Sequence, residues 1–138
     1  MVYSSGKARG SAIDRREHPR YPISLTLNNR IVNMETQQLF DGLACLCNVS
    51  KKGLCLKLHQ QQSMSDDVFK KGTPLLIEVR LVFSGAVFFA QGTVAWSISQ
   101  NDGAHTKLGL DLIHYESDAV PVFEKERNAR EEFYLQVI

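Results

Sequence analysis

Apolar and polar residues alternate along most of this chain, and a period of two marks strands with one buried face. Tyr21, Ile23, Leu25 and Leu27 alternate with Pro22, Ser24 and Thr26. Asn28 and Asn29 then offer a turn, because asparagine tolerates left-handed backbone; alternatively, Ile31 and Val32 prolong the strand beyond a bulge. Leu43, Cys45, Cys47 and Val49 predict one face of a second strand. A polar corner reverses the chain at Gly53, and Leu54, Leu56 and Leu58 alternate again. Residues 59 to 73 read as a polar surface loop. Leu75, Ile77, Val79, Leu81 and Phe83 predict a long strand, and Ser84 with Gly85 a turn. Phe88, Ala90, Val94, Trp96 and Ile98 mark the return strand. A further turn at 100 to 103 leads to a last short strand through Leu108, Leu110 and Leu112.

Six period-two segments in 138 residues favour an antiparallel sheet closed into a barrel, since closure removes exposed edges. After Tyr115 the pattern becomes helical. Ser117 or Asp118 supplies a cap, Pro121 falls in the first turn, and Val122, Ala129 and Phe133 share a face that can pack on the barrel. Glu126 with Arg130, and Arg127 with Glu131, stand at pairing distance along the helix. The expected fold is all-β with a C-terminal helix. A flexible arm over residues 1–13 precedes a single domain over 14–138, with the barrel at about 20–115 and the helix at about 117–135.

Composition narrows the function. Sixteen Lys and Arg against fifteen Asp and Glu leave a net charge of +1, which argues against general attraction to nucleic acid or anionic membrane. The balance is local, however: Lys7 to Arg20 is basic and Glu116 to Glu132 acidic. With no apolar run near the roughly 20 residues of a membrane helix, and no signal-peptide block, a cytoplasmic protein is expected. Cys45, Cys47 and Cys55 suit a reducing compartment, and with His59 they match no compact zinc knuckle. No serine or cysteine sits in a nucleophile motif, so neither an enzyme, a metal nor a cofactor is expected.

Two constellations carry chemistry. Arg15, Arg16 and Arg20 fall within six residues, held extended by Pro19 and Pro22. A guanidinium fork bonds phosphate oxygens or the O6 and N7 edge of guanine, and its face stacks on aromatic rings. The second set is the corner. Asn48 offers an amide for a base edge or a turn cap, Ser50 a short donor and acceptor, and Gly53 either a positive φ or a close approach of backbone to ligand.

In this order, RxxxR at Arg16 to Arg20 followed by NxSxxG at Asn48, Ser50 and Gly53, the chain resembles the PilZ domain family. Gly92 to Trp96 and Leu108 to Leu112 look like that family's late barrel strands. The resemblance implies a six-stranded barrel that binds cyclic di-GMP and relays its level to a partner protein. It implies that Arg16 and Arg20 hold phosphate and the guanine Hoogsteen edge, and that Asn48 and Ser50 hold guanine from the barrel side. In the family, an arginine just before RxxxR goes with an intercalated ligand dimer, and Arg15 stands there. Trp96 is a further possible contact, or a core or rim residue. The mechanism that follows is ligand-driven ordering of the N-terminal arm. The alternative is a protein-interaction module of the same fold that binds no nucleotide.

Overall fold

The computed structural model describes residues 21–59, 69–100 and 105–137. These form six strands and one helix: β1 Tyr21–Asn33, β2 Leu39–Ser50, β3 Gly53–His59, β4 Pro74–Arg80, β5 Val87–Gln100, β6 His105–Tyr115 and α1 Ala119–Val137. The arm at 1–13, Arg15, Arg16 and Arg20, much of the 59–73 loop and the turn after Gln100 lie outside the described residues. All pairings are antiparallel, and the sheet closes in the order β1-β2-β3-β6-β5-β4. The expected barrel with a C-terminal helix is the fold observed.

Alternation fixes β1 throughout. Ile23, Leu25, Leu27, Asn29, Ile31 and Asn33 all point into the core, so the strand runs through Asn28 and Asn29 without turning. Asn29 occupies a core position, where its Nδ2 donates to the Leu27 carbonyl at 3.0 Å. The reversal comes at Asn33, whose Oδ1 accepts from the amides of Glu35 (2.9 Å) and Thr36 (3.2 Å), with Gln37 in left-handed backbone. The expected turn at Asn28 and Asn29 is thus not formed, and the alternative, a strand prolonged through Ile31 and Val32, is observed without a bulge at that point. Leu46, Leu56, Leu58, Leu75, Phe88 and Leu108 are fully enclosed at the barrel centre.

Two expectations need correction. The second strand does not bury Leu43, Cys45 and Cys47 with Val49: Ala44 and Leu46 face the core instead, and Leu43 is exposed. The phase recovers at Val49 because an extra residue enters β2 between Leu46 and Asn48. The fourth strand stops at Arg80, and Phe83 lies in the turn to β5, where Gly85 has a φ of 78°.

The helix also turns differently from its expected face. Asp118 Oδ1 accepts from the Val120 amide at 3.2 Å as the cap. Ala119, Phe123 and Glu126 are the buried positions, Val122 packs partly against the core, and Phe133 is half exposed beside Phe83. Phe123 meets Phe88 with ring centroids 5.2 Å apart. The anticipated intrahelical ion pairs are replaced. Glu126 accepts from the Phe83 and Ser84 amides, Arg130 donates to the Ser24 carbonyl, and Arg127 pairs with Glu124. No helix among the described residues is long and apolar enough to cross a membrane.

Candidate functional site

The break in β2 builds the site. Leu46 pairs with Leu56 and Asn48 with Cys55, so Cys47 and Asn48 together oppose one residue of β3. Such a bulge re-aims side chains, and it puts Cys47 and Asn48 on the outer wall together. β1 breaks register at the same level, between Pro22, paired with Asn48, and Leu25, paired with Leu46. Asn48 therefore sits where two irregularities bend the wall.

Beyond Val49, Ser50 pairs with Gly53 across a two-residue turn of Lys51 and Lys52. Ser50 is buried. A Cβ on Gly53 would stand 3.1 Å from Ser50 Oγ and 3.2 Å from the Leu110 carbonyl oxygen. Close approach of protein atoms, and not left-handed backbone, thus sets the glycine. The turn is tied to β6 by the Leu112 amide, which donates to the Lys52 carbonyl at 2.8 Å.

Pairing across the sheet extends this corner into a shelf. Asn48 is opposite Cys55, Cys55 opposite Gly109, and Gly109 opposite Trp96, so the four share one row on the outer face. The row above holds Cys45, Lys57, Lys107 and Ile98; the row below holds Ser50, Gly53, Asp111 and Thr93. The middle of the shelf is closed rather than open: Cys55 is buried, and the bare backbone of Gly109 is covered by a neighbouring ring. Trp96 lies directly over Gly109: a Cβ there would fall 2.1 Å from the indole Nε1. The indole covers one end of the row, Asn48 stands at the other, and Lys57 and Lys107 lie in the adjacent row.

Cys47 is half buried, and its thiol is pushed up to about 11, chiefly by burial and then by the neighbouring Cys55 and Cys45 thiols. Lys107 acts on the Cys47 thiol in the opposite direction. Arg15, Arg16 and Arg20 lie outside the described residues, but Arg20 directly precedes Tyr21, the residue paired with Val49. The fold thus brings the second constellation together, and the first lies outside the described residues. Sequence reasoning placed Gly109 in a late barrel strand without a role, and its need to be small was legible only once Trp96 was known to cross it. Lys57 and Lys107 were missed because their rows depend on the β3–β6 pairing.

A cleft of about 630 Å³ opens on another part of the wall, lined by Val32, Leu39, Leu76, Phe89, Gln91 and His114 among others. It contains none of the motif residues. Among the described residues, no group of three or more His, Cys, Asp or Glu is placed to hold a metal.

A family model, the PilZ domain, matches residues 14–120. No curated protein matches the chain. The structure of the Bacillus subtilis inhibitor of motility (MotI/DgrA) is similar with a TM-score of 0.51 and 16% identity, over 88% of this chain and 53% of that one. The chain thus spans about half the length of that protein. The PilZ domain of YcgR from Escherichia coli, solved with c-di-GMP, is similar with a TM-score of 0.51 and 18% identity, over 86% of this chain and 97% of that one.

Proposed function

The chain belongs to the PilZ domain family, and from that premise we propose that it is a receptor for cyclic di-GMP, without catalysis, that relays the ligand to a partner protein. The observation that carries this reading is the row that ends in Asn48, beside the start of β1, and in the Trp96 indole over Gly109, with Lys57 and Lys107 in the row above. An indole and an amide suit a planar purine, and the PilZ domain of YcgR was solved with this nucleotide.

The roles follow from the donors. Arg16 and Arg20 hold phosphate and the guanine Hoogsteen edge. Asn48 takes the Watson–Crick edge with its amide oxygen, Ser50 bonds the same base, and Gly53 keeps the turn tight. Arg15 stacks on a second nucleotide, so two intercalated molecules bind each chain. Four phosphates then meet three guanidinium groups, with Lys57 and Lys107 beside them. Their attraction orders residues before Tyr21 against the barrel and creates a surface for a downstream protein. Regulation of motility or of biofilm formation in the bacterial cytoplasm is the setting this role suits.

The test is calorimetric titration of cyclic di-GMP into wild-type protein and an Arg16→Ala, Arg20→Ala double variant, with GTP as control. Two ligands per chain at micromolar affinity or better, lost in the variant, support the receptor. A second reading has its own observation, the apolar cleft across β1, β4 and β5. Folded wild-type protein that takes up no nucleotide makes the chain a protein-interaction module, with that cleft as the first surface to mutate.

A further inference from the structure

The shelf holds a chemistry that nucleotide binding does not use. Cys47 is the inserted residue of the β2 bulge, so it and Asn48 both oppose Cys55. Continued regularly from the Leu46–Leu56 pair, the ladder would set Cys47 opposite Cys55; the bulge keeps Cys47 beside Cys55 while Asn48 takes the pairing position. The Cys55 thiol acts directly on the Cys47 thiol, and neither cysteine is in a disulfide. Cys47 is half buried and Cys55 is 1% exposed. One is thus open to a small reagent and the other lies behind it.

We propose that Cys47 and Cys55 form a reversible disulfide that loosens the nucleotide's hold on the shelf. The consequence for binding rests on the receptor reading above; the bridge itself does not. The oxidant is a small-molecule disulfide such as oxidised glutathione. The Cys47 thiol loses its proton and attacks one sulfur of the oxidant, forming a mixed disulfide and releasing one small thiolate. The Cys55 thiol then loses its proton and attacks the Cys47 sulfur, displacing the second. Two protein thiols give up two electrons and two protons, and the oxidant leaves as two thiols.

The effect on binding follows from position. Cys47 Sγ now donates to the Cys45 carbonyl at 3.7 Å, within its own strand. A bond to Cys55 pulls that sulfur across to β3, and Asn48, the next residue, turns with the bulge. An amide that must meet a base edge within hydrogen-bond tolerance loses its aim. We expect oxidation to weaken cyclic di-GMP binding about tenfold. Linkage then requires saturating ligand to raise the midpoint potential of the pair by about 30 mV, because a tenfold change in a two-electron couple corresponds to that shift.

The surroundings also set the pace. Cys55 on β3 and Cys45 on β2 oppose ionisation of Cys47, Lys107 on β6 favours it, and the thiol stands near 11. Oxidation should therefore accelerate about tenfold per pH unit between about pH 7 and 10 and level off above that.

The experiment treats the full chain with oxidised glutathione, alkylates it and digests it at Lys51 and Lys52, which separates Cys47 from Cys55. A linked peptide pair, with Cys45 still alkylated, supports the bridge. Three alkylated cysteines, or a bridge through Cys45, overturn it. Titration of oxidised and dithiothreitol-treated protein decides the control: weakening of about tenfold that reduction reverses, and that a Cys55→Ala variant lacks, supports it. Equal affinity of the two forms overturns it. Should neither form bind nucleotide, the receptor reading falls and the control with it, while the peptide map still decides the bridge.

Discussion

Asn48, Ser50 and Gly53 were singled out by their order after the arginines, as in the PilZ domain family. Taken alone they read more readily as a plain hairpin turn, and the β2–β3 corner is where the structure places them. The surface they belong to was not legible in the sequence. The alternation of Leu43, Cys45, Cys47 and Val49 invites a single buried face, and only the extra residue at Cys47 shows that the first three point outward. Bulges leave no composition signal of their own, so a period-two reading carries the error until the next buried residue. Gly109 shows the same limit. Replacing it with valine forces the Trp96 indole off the strand, since a Cβ meets the ring at 2.1 Å. Overpacking of this kind costs about 1 to 3 kcal/mol, so Gly109→Val should lower the denaturation midpoint and shift the emission of Trp96, the single tryptophan, to the red. An unchanged spectrum would mean that the ring does not rest there. At the other end of the row, Asn48→Asp offers two acceptors to guanine N1 and N2 where the amide offers one. A charge-assisted bond is worth about 1.5 to 3 kcal/mol, so titration should show tighter binding by about an order of magnitude. Weaker binding by the aspartate variant would sink the assignment of that edge.

At the level of elements, the six strands and the helix follow from periodicity, and the docking of the helix does not. Val122, Ala129 and Phe133 are an apolar set at helical spacing, yet a charged residue, Glu126, is 3% exposed on the packed face. No hydropathy argument places a glutamate there. The reason lies in the β4–β5 turn, where Phe83 and Ser84 have left the ladder and their amides need an acceptor. Glu126 supplies both oxygens, at 3.2 and 2.8 Å. Glu126→Ala leaves those amides without an acceptor in a partly buried setting, at a cost of about 1 to 3 kcal/mol, and Glu126→Gln should restore about half of that by keeping one oxygen. Urea unfolding of the three proteins checks the order. Loss of less than about 0.5 kcal/mol in the alanine variant would show that water satisfies the turn and that Phe123 alone anchors the helix.

Over the whole molecule the charges nearly cancel, so neither the sum nor the composition points to an anionic ligand. Topology redistributes them. Because β3 pairs with β6, Lys57 stands opposite Lys107, above the row that holds Cys55 and Gly109. Lys51 and Lys52 form the turn at the shelf's corner, and the three arginines lie just before β1 in the chain. Of the acidic residues of the C-terminal stretch, Glu124, Glu126, Glu131 and Glu132 are carried by α1, with Glu126 committed to the β4–β5 turn and Glu124 to Arg127. A net charge near zero thus accompanies a basic field at the site, the arrangement that concentrates a polyanion without general stickiness. If that field draws the ligand in, reversing it at two exterior positions should act on binding and leave the fold intact. Lys57→Glu with Lys107→Glu should weaken cyclic di-GMP binding by about tenfold or more at low salt. The gap to wild type should narrow as salt rises toward about 1 M, where the Debye length falls to about 3 Å. A double variant whose affinity matches wild type at low salt would confine recognition to the arginines and the corner, and would reduce the lysine row to solvation of the barrel wall.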